Sequence, residues 1–366
     1  MTQGWVAYSV SALAAVVGEN KLMPLITDCQ CKVTNAKSGE TRDNTSWVIG
    51  RLVRDFELLW RHEDTVNKVK QICEAKKARL KLDMAPSRAG LVISVYKAKG
   101  RGAGQPRPDT VYWSGVAAIV LQHVLALVPA IRDEEHNWTI LLITTSGTLL
   151  ALLTGALPQW KREKWPCRKT SRNPYILTRG NGAQHAIVVL PGGQGNDEGL
   201  DLEDLAAGQP NLDTSADLFT RMSLLALSTC WIILLIMAAG LEKDTWYLLA
   251  VGGIGMVMNV FTSGWSRPPE TLGIPLQFQE AVGAEKVMEA LYLVEEKYPG
   301  IGRSMRSLFF TAEQLRPHEE ERWGEFRKEE KRRKDAAKEP VSVVASQTPS
   351  ITVSRTPSSA TTASHS

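Results

Sequence analysis

In the sequence VLALVPAIRDEEHNWTILLI, residues 124–143, two apolar runs meet across the polar connector Arg132 to Asn137. The runs belong to two long blocks, residues 111–131 and 138–160, that contain no Asp, Glu, Lys or Arg. Blocks of this length are near the ~20 residues with which an α-helix crosses the hydrocarbon layer of a membrane. The stretch therefore predicts a helical hairpin that has lipid as its solvent.

Two further blocks of the same kind, residues 222–240 and 246–265, stand on either side of a second short connector. Buried helical hairpins in a soluble protein are the alternative, but helices of soluble cores usually carry a polar face. Aromatic residues mark the ends of the blocks, as in the interfacial belts of membrane proteins; they are Tyr112, Trp113, Trp138, Trp160, Trp246, Tyr247 and Trp265. We therefore predict a mainly α, integral membrane protein: a four-helix transmembrane bundle of two hairpins, with α+β cytosolic segments.

Residues 1–18 form a shorter uncharged stretch that is rich in Ala, Ser and Gly. Its length is at the lower limit for a membrane-spanning helix. A fifth span is one interpretation of this apolar N-terminal helix. A helix that docks on the bundle or lies at the membrane interface is the other.

The distribution of basic residues predicts the orientation. Of the 43 Lys and Arg residues, only Arg132 and Lys243 lie in the two connectors, and the others lie in three long polar segments. Because cytosolic loops carry the excess of Lys and Arg, residues 19–110, 161–221 and 266–366 are placed in the cytosol and the connectors outside. The pattern leaves open whether the membrane is the plasma membrane or an endomembrane.

Two glycosylation sequons give a check on this orientation. Asn137 lies on the predicted outer side, close to the bilayer, whereas Asn44 lies on the cytosolic side. We expect no glycan on Asn44, and a glycan there would reverse the topology.

The cytosolic segments contain a mixture of predicted helices and strands. Residues 56–82 have a loose apolar stripe and a basic end, which predicts an amphipathic helix packed on its own domain or on anionic lipid headgroups. Residues 91–100 are predicted to be a short strand. The Asn-Gly pair at 181–182 predicts a β-hairpin within residues 161–221.

Helices dominate the prediction for the rest of the polar chain. Residues 200–208 form a short helix with an acidic start, and residues 266–340 are predicted to be a helical segment. An apolar stripe over residues 284–298 and a run of mixed charges from His318 mark two of its helices. Residues 341–366 are rich in Ser, Thr, Ala and Pro, which predicts a disordered tail.

Known catalytic and ligand-binding motifs are missing from the sequence. The run GRGAGQPRP (100–108) departs from GxGxxG at Gln105, and Cys29 and Cys31 form a lone CxC without the further ligands of a zinc site. A net charge of +4 is too small to indicate nucleic-acid binding. We therefore expect no cofactor, no metal and no nucleic acid.

Two features inside the predicted bundle are candidate sites. Gln122 and His123 place polar groups near the middle of the first block, either as a functional polar site or as hydrogen-bonding partners of a neighbouring helix. Small residues recur in the second and fourth blocks and allow helices to approach closely; they are Gly147, Ala151, Gly155, Gly252, Gly253 and Gly255. The alternative for the fourth block is a broken helix that lines a substrate site.

Several stretches resemble a family of multi-pass membrane proteins from filamentous fungi: SWVIGRLVRDFE (46–57), GALPQWKREKWPCRK (155–169), LTRGNGAQH (177–185), TWYLLAVGGIGMVMN (245–259) and residues 275–310. The resemblance is a whole-chain pattern over residues 4–325 and contains no catalytic signature. It implies a fungal membrane protein of a family without an established activity, and it brings over no site residues.

These observations favour a membrane-anchored adaptor, sensor or regulatory component that acts through its cytosolic face. Its expected partners are the lipid bilayer and either a cytosolic protein or further copies of the chain. A small transporter or channel that works as an oligomer is the alternative. An enzyme that uses His185 with Asp201 or Glu203 is a third hypothesis, which the missing motifs disfavour.

Overall fold

The computed structural model describes residues 30–81, 83–84, 86, 88–132, 137–168, 171–192, 199–208, 218–310 and 315–338. The predicted N-terminal helix, residues 1–18, and the predicted tail, residues 341–366, lie outside this part of the chain. The chain divides into two compact units, Met1–Leu315 and Arg316–Ser366. The first unit contains a mixed sheet and a set of long apolar helices, and the second contributes one charged helix.

Helices account for most of the described chain. In chain order they are α1 Trp47–Asp55, α2 Glu63–Leu80, α3 Thr110–Arg132, α4 Thr139–Gly155, α5 Pro158–Lys164, α6 Leu202–Ala207, α7 Leu218–Ala239, α8 Thr245–Gly264, α9 Val287–Lys297, α10 Ile301–Phe309 and α11 Pro317–Lys338. A π-helical turn, Phe56–Trp60, follows α1. The strands are β1 Lys32–Asn35, β2 Thr41–Asp43, β3 Leu91–Ala98, β4 Tyr175–Thr178, β5 His185–Leu190 and β6 Leu276–Ala284.

Among the described helices, three are long and apolar enough to cross a membrane: α3, α7 and α8. A fourth candidate is the pair α4 and α5, which is bent by 46°. The predicted span over residues 138–160 thus corresponds to two helices joined at a bend, and not to one continuous helix. Pro158 has no backbone N–H to continue the helix and holds Leu157 in an extended conformation, with ψ at 128°.

The apolar helices pack around α4. This helix contacts α3, α7 and α8, and α3 also packs along α8. By contrast, α7 contacts α4 far more than it contacts α8, its neighbour in the chain. At the connector end of the helices, Asn137 donates a hydrogen bond to Asp244 at 3.3 Å, so the two connectors lie next to each other.

The sheet has six strands in the order β2-β1-β4-β5-β3-β6. Strands β1 to β3 precede α3, β4 and β5 lie between α5 and α7, and β6 follows α8. The three polar segments of the sequence thus form one sheet. Among the described strands, only β3 and β5 run parallel. The predicted β-hairpin is confirmed as β4 and β5, whose turn has positive φ at Gly180 and Gly182.

Helices cover both faces of the sheet. On one face, Thr65 of α2 hydrogen-bonds to Ser94 of β3 at 2.9 Å. Side chains alternate along a strand, so Val95 and its partner Glu280 on β6 face the other side. There the hydroxyl of Tyr298, just after α9, donates to Glu280 at 2.9 Å. We call the sheet with α1, α2, α6, α9 and α10 the sheet region.

A large apolar cluster lies beneath α1 and α6. It includes Ile49 and Leu52 of α1 together with Leu177 and Ile187 of the hairpin, all essentially buried. Full burial of one such side chain stabilises the fold by roughly 1.5–3 kcal/mol. The amphipathic pattern of α1 therefore fixes this helix on the sheet.

Two predicted elements differ from the structure. The helix expected over residues 56–82 is divided, because the π-helical turn ends at Trp60 and α2 begins at Glu63 with the His62 side chain as its N-cap. The segment 266–340 is not helical throughout, because β6 occupies Leu276–Ala284. The helices expected near residues 200–208, 284–298 and from His318 are confirmed as α6, α9 and α11.

Candidate functional site

The most elaborate polar site lies where α1 meets the end of α8. Along α1, Val48, Ile49, Leu52 and Val53 are buried against the sheet. Arg51 and Asp55, spaced by one helical turn, are also buried. A charged pair on the buried side of an otherwise apolar helix requires compensating partners.

Arg51 supplies hydrogen bonds to the end of α8. Its Nε donates to Asp55 at 3.1 Å, and its Nη1 donates to the carbonyl of Ser263 at 3.1 Å. Its Nη2 donates to the carbonyls of Thr262, at 3.4 Å, and Trp265. The last carbonyls of an α-helix have no partner within the helix and carry partial negative charge. The guanidinium therefore caps the C-terminus of α8.

Asp55 also joins α1 to the chain that follows α8, by accepting hydrogen bonds. Its side chain is fully buried, and Oδ2 accepts the backbone N–H of Arg267 at 2.9 Å. Its Oδ1 accepts a hydrogen bond from Arg54 at 3.0 Å. We call these contacts of Arg51, Asp55 and the chain from 262 to 267 the Arg51–Asp55 junction.

The beginning of α3 is tied to the same place. The Asp109 carboxylate accepts the backbone N–H of Tyr112 at 2.9 Å, which caps the first turn of α3. The same carboxylate lies 3.3 Å from Nε of Arg267. One end of α3 and one end of α8 are thus held together beside the sheet region.

Helix α5 lies against the same edge of the sheet region. Nζ of Lys164 is 5.5 Å from the ring centroid of Trp47, the first residue of α1. Gly273 has φ of +83°, and a Cβ on this residue would lie 2.8 Å from the Trp165 ring. Glycine is needed here both for its backbone conformation and for the close approach of that ring.

The predicted polar pair of α3 is divided between two environments. Gln122 is buried, and its side-chain amide donates to the carbonyl of Val251 on α8 at 2.8 Å. His123 is partly exposed, and its Nδ1 lies 2.8 Å from the carbonyl of Ile119 on its own helix. Gln122 therefore joins two apolar helices, whereas the contact of His123 is local.

The small residues of α4 contribute unequally to helix packing. Gly147 and Ala151 are buried, and Ala151 shares an apolar cluster with Trp231 of α7. Gly155 is exposed, and a Cβ on it would meet nothing within 4 Å. Helix α7 therefore packs against the small residues of α4 at Ala151 but not at Gly155.

The glycines of α8 occupy two different positions. Gly255 is buried. Gly252 and Gly253 line a cavity of about 320 Å³ between α7 and α8, whose other lining residues include Trp231. The indole N–H of Trp231 is buried and has no hydrogen-bond partner in the described chain. The cavity is mainly apolar in its lining.

His185, the candidate catalytic residue, lies beside Arg61. Its Nε2 is 3.1 Å from Nη1 of Arg61, and its buried Nδ1 has no hydrogen-bond partner in the described chain. Burial, and then the Arg61 cation, lowers the pKa of His185 to about 4. Asp201 instead caps α6, and Glu203 pairs with Arg42 at 3.1 Å. Neither carboxylate is hydrogen-bonded to His185.

Within the described ranges, no group of three or more His, Cys, Asp and Glu side chains could hold a metal ion. No protein-family model, curated protein or solved structure matches the chain. The resemblance to a fungal membrane family therefore stays a prediction.

Sequence reasoning did not single out Arg51 and Asp55, although both lie in the stretch SWVIGRLVRDFE. The available signal was an oppositely charged pair at i and i+4 on a helix that is otherwise apolar on that side. What the pair binds was not predictable, because its partners are more than 200 residues away in the chain.

Proposed function

We propose that this chain is a multi-pass membrane protein whose four apolar helices span the bilayer as two hairpins, α3 with α4 and α7 with α8. The sheet region then lies on the cytosolic face, and the connectors at residues 132–137 and 240–244 lie outside. In this proposal the protein is a sensor or regulatory component, or an adaptor, that presents the sheet region to a cytosolic partner.

The Arg51–Asp55 junction is the observation that carries this proposal. A sheet region held only by flexible linkers would serve as a passive anchor. Here a buried ion pair, with hydrogen bonds to three carbonyls at the end of α8, joins a sheet-bound helix to an apolar helix. A displacement of α8 would therefore act directly on α1 and on the sheet beneath it.

The topology can be tested by cysteine accessibility. Glu242→Cys places a thiol on the exposed connector before α8, and Asn181→Cys places one in the exposed turn of the β-hairpin. In intact cells, a membrane-impermeant maleimide should label the first variant above the level of the unaltered chain. The second should react only after permeabilisation. Labelling of both in intact cells, or release of the protein by alkaline carbonate, would contradict the proposal.

The coupling can be tested with Arg51→Gln, which keeps a polar side chain but removes the charge and most of its donors. Hydrogen exchange of the purified full-length protein should become faster in α1 and in the last turn of α8. Partners that copurify with the unaltered protein should be reduced or lost. A variant with unchanged exchange and unchanged partners would argue against a signalling role for the junction.

The cavity between α7 and α8 is the observation that favours the competing proposal, a small transporter or channel. Its apolar lining suits an apolar ligand better than an ion. Flux measured in proteoliposomes distinguishes the two proposals: flux that is lost in Gly253→Leu, which would fill the cavity, would favour the transporter over the adaptor.

A further inference from the structure

The cavity between α7 and α8 extends along both helices. Ala239 and Thr245 line it at the connector end, and Trp231 and Met256 line it further along the helices. Trp231 precedes Ala239, the last residue of α7, by a distance of about 12 Å at the rise of an α-helix. A volume of about 320 Å³ over that length makes the cavity narrow, so its shape suits one unbranched chain better than a fused ring system.

The glycines of α8 leave this space open. Gly252 and Gly253 both line the cavity, and a Cβ on Gly253 would meet nothing within 4 Å. The neighbouring helix α7 packs mainly on α4 and makes few contacts with α8. A larger side chain at residue 253 would therefore occupy the cavity itself, without displacing another part of the described chain.

Trp231 brings an unused hydrogen-bond donor to the cavity wall. Its side chain is 1 % exposed, and its indole N–H has no hydrogen-bond partner in the described chain. The residues that share its apolar cluster, Ile143, Ala151 and Leu234 among them, have no acceptor in their side chains. A buried donor without an acceptor is costly. A bound molecule that supplies an acceptor would therefore bind more tightly than a hydrocarbon of the same shape.

The apolar lining restricts which acceptor is suitable. A carboxylate would have to lose its hydration without a counter-charge, and a hydroxyl would bring a second donor that needs its own partner. A carbonyl oxygen accepts a hydrogen bond and carries neither of these costs. The indole N–H of Trp231 is a donor only, so the two groups are complementary.

We propose that the cavity between α7 and α8 binds one neutral, unbranched hydrocarbon chain that carries a carbonyl group, and that the indole N–H of Trp231 donates a hydrogen bond to the carbonyl oxygen. The source of this ligand, the bilayer, rests on the proposed function, and such a ligand would be the stimulus of the proposed sensor. The binding chemistry rests on the cavity and on Trp231. A binding assay in detergent does not depend on membrane orientation, so its failure is distinguishable from a failure of the cysteine-labelling experiment.

The test measures the thermal unfolding of the full-length protein in a neutral detergent, followed by circular dichroism. One probe is the ketone dodecan-2-one, and the other is 2-methyldodec-1-ene, an alkene of the same shape that has CH₂ in place of the carbonyl oxygen. The ketone should raise Tm in a saturable manner, because a ligand that binds only the folded state stabilises it. At equal mole fractions in the micelle, its apparent affinity should be about tenfold higher than that of the alkene.

Three variants locate the site and identify the donor. Trp231→Phe keeps an aromatic ring but removes the N–H, so it should bind the ketone and the alkene equally. Gly253→Leu should weaken the binding of both probes about tenfold or more, because its side chain fills the cavity. Gly155→Leu, the same change at an exposed position of α4, should leave both affinities unaltered.

Equal affinities of the ketone and the alkene for the unaltered protein would overturn the proposal. Unchanged ketone binding in Gly253→Leu would place the ligand elsewhere and would also overturn it. A preference for the ketone that persists in Trp231→Phe would exclude the indole N–H as the donor. Because Gly253→Leu leaves Trp231 in place, the location of the site remains testable even if Trp231→Phe fails to fold.

Discussion

Asp55 is the residue on which the Arg51–Asp55 junction depends most. Its carboxylate is fully buried and satisfies two arginines and one backbone N–H. Asp55→Asn would leave the Arg51 guanidinium buried without its counter-charge. Breaking one side of a buried ion pair costs about 3–5 kcal/mol, so we predict a loss of this size in the free energy of unfolding, measured by chemical denaturation in detergent.

The matched control for Asp55 is an ion pair on the surface of the same unit. Lys286 and Glu289 are 3.3 Å apart and are largely exposed. Glu289→Gln should change the free energy of unfolding by less than about 1 kcal/mol, since exposed pairs contribute little. Similar losses in the two variants would show that Asp55 acts only as a surface charge.

His185 makes the stability of the sheet region depend on pH. Its pKa is about 4 in the folded chain, against an ordinary value of about 6.5 in the unfolded chain. Between these values the unfolded chain binds the proton and the folded chain does not, so stability falls as pH decreases from about 6.5 towards 4. We predict that His185→Gln flattens this part of the profile of Tm against pH.

The control for this prediction is His318→Gln, because His318 lies in α11, which belongs to the other compact unit. This variant should retain the slope of the unaltered protein. An unchanged slope in His185→Gln would exclude His185 as its origin.

At the scale of the element, α4 offers a paired test of helix packing. Ala151 is buried against Trp231, whereas Gly155, one turn further along, is exposed. Ala151→Leu would overfill the contact with α7, which typically costs about 1–3 kcal/mol. Gly155→Leu should be neutral or slightly stabilising. We predict that only the first variant lowers Tm in detergent. Equal effects would contradict the observation that α4 packs against α7 at Ala151 and not at Gly155.

Single elements were predicted where their own residues determine them. The apolar blocks and the Asn-Gly turn are local signals, and they correspond to the long helices and to the turn between β4 and β5. The alternation of Leu276 and Phe278 with polar neighbours was also a strand signal for β6. It was missed because Val287, Leu291 and Val294 follow soon afterwards at helical spacing, so the whole segment was predicted to be helical.

The whole molecule was less predictable than its elements. Nothing local indicates that Val92 pairs with His185, or that Val92 also pairs with Gly283. Buried strands such as β3 are apolar on both faces and do not specify their neighbours by pattern. The sequence therefore predicted three separate cytosolic segments, and the structure joins them in one sheet. The Arg51–Asp55 junction was hidden for the same reason.

Because strands from all three polar segments form one sheet, truncation of the chain before β6 should destabilise the whole sheet region. A chain that stops after residue 270 keeps every apolar helix but lacks β6, which pairs with β3 along its length. We predict that it is degraded rapidly in cells and loses protease resistance in the sheet region. A chain that stops after Lys338 keeps every described helix and strand and should remain stable. Equal half-lives would show that β6 is dispensable.

The interleaving of strands and apolar helices also constrains how the protein is made. The ribosome releases β3 long before β5, and it releases β6 only after the last apolar helix. Strand β3 lies between β5 and β6 in the sheet, so its edges stay unpaired until both of these strands have been made. Unpaired edges readily join other chains. A nascent chain stalled between α8 and β6 should therefore recruit chaperones most strongly, and crosslinking of chaperones to chains arrested at successive lengths would reveal that interval.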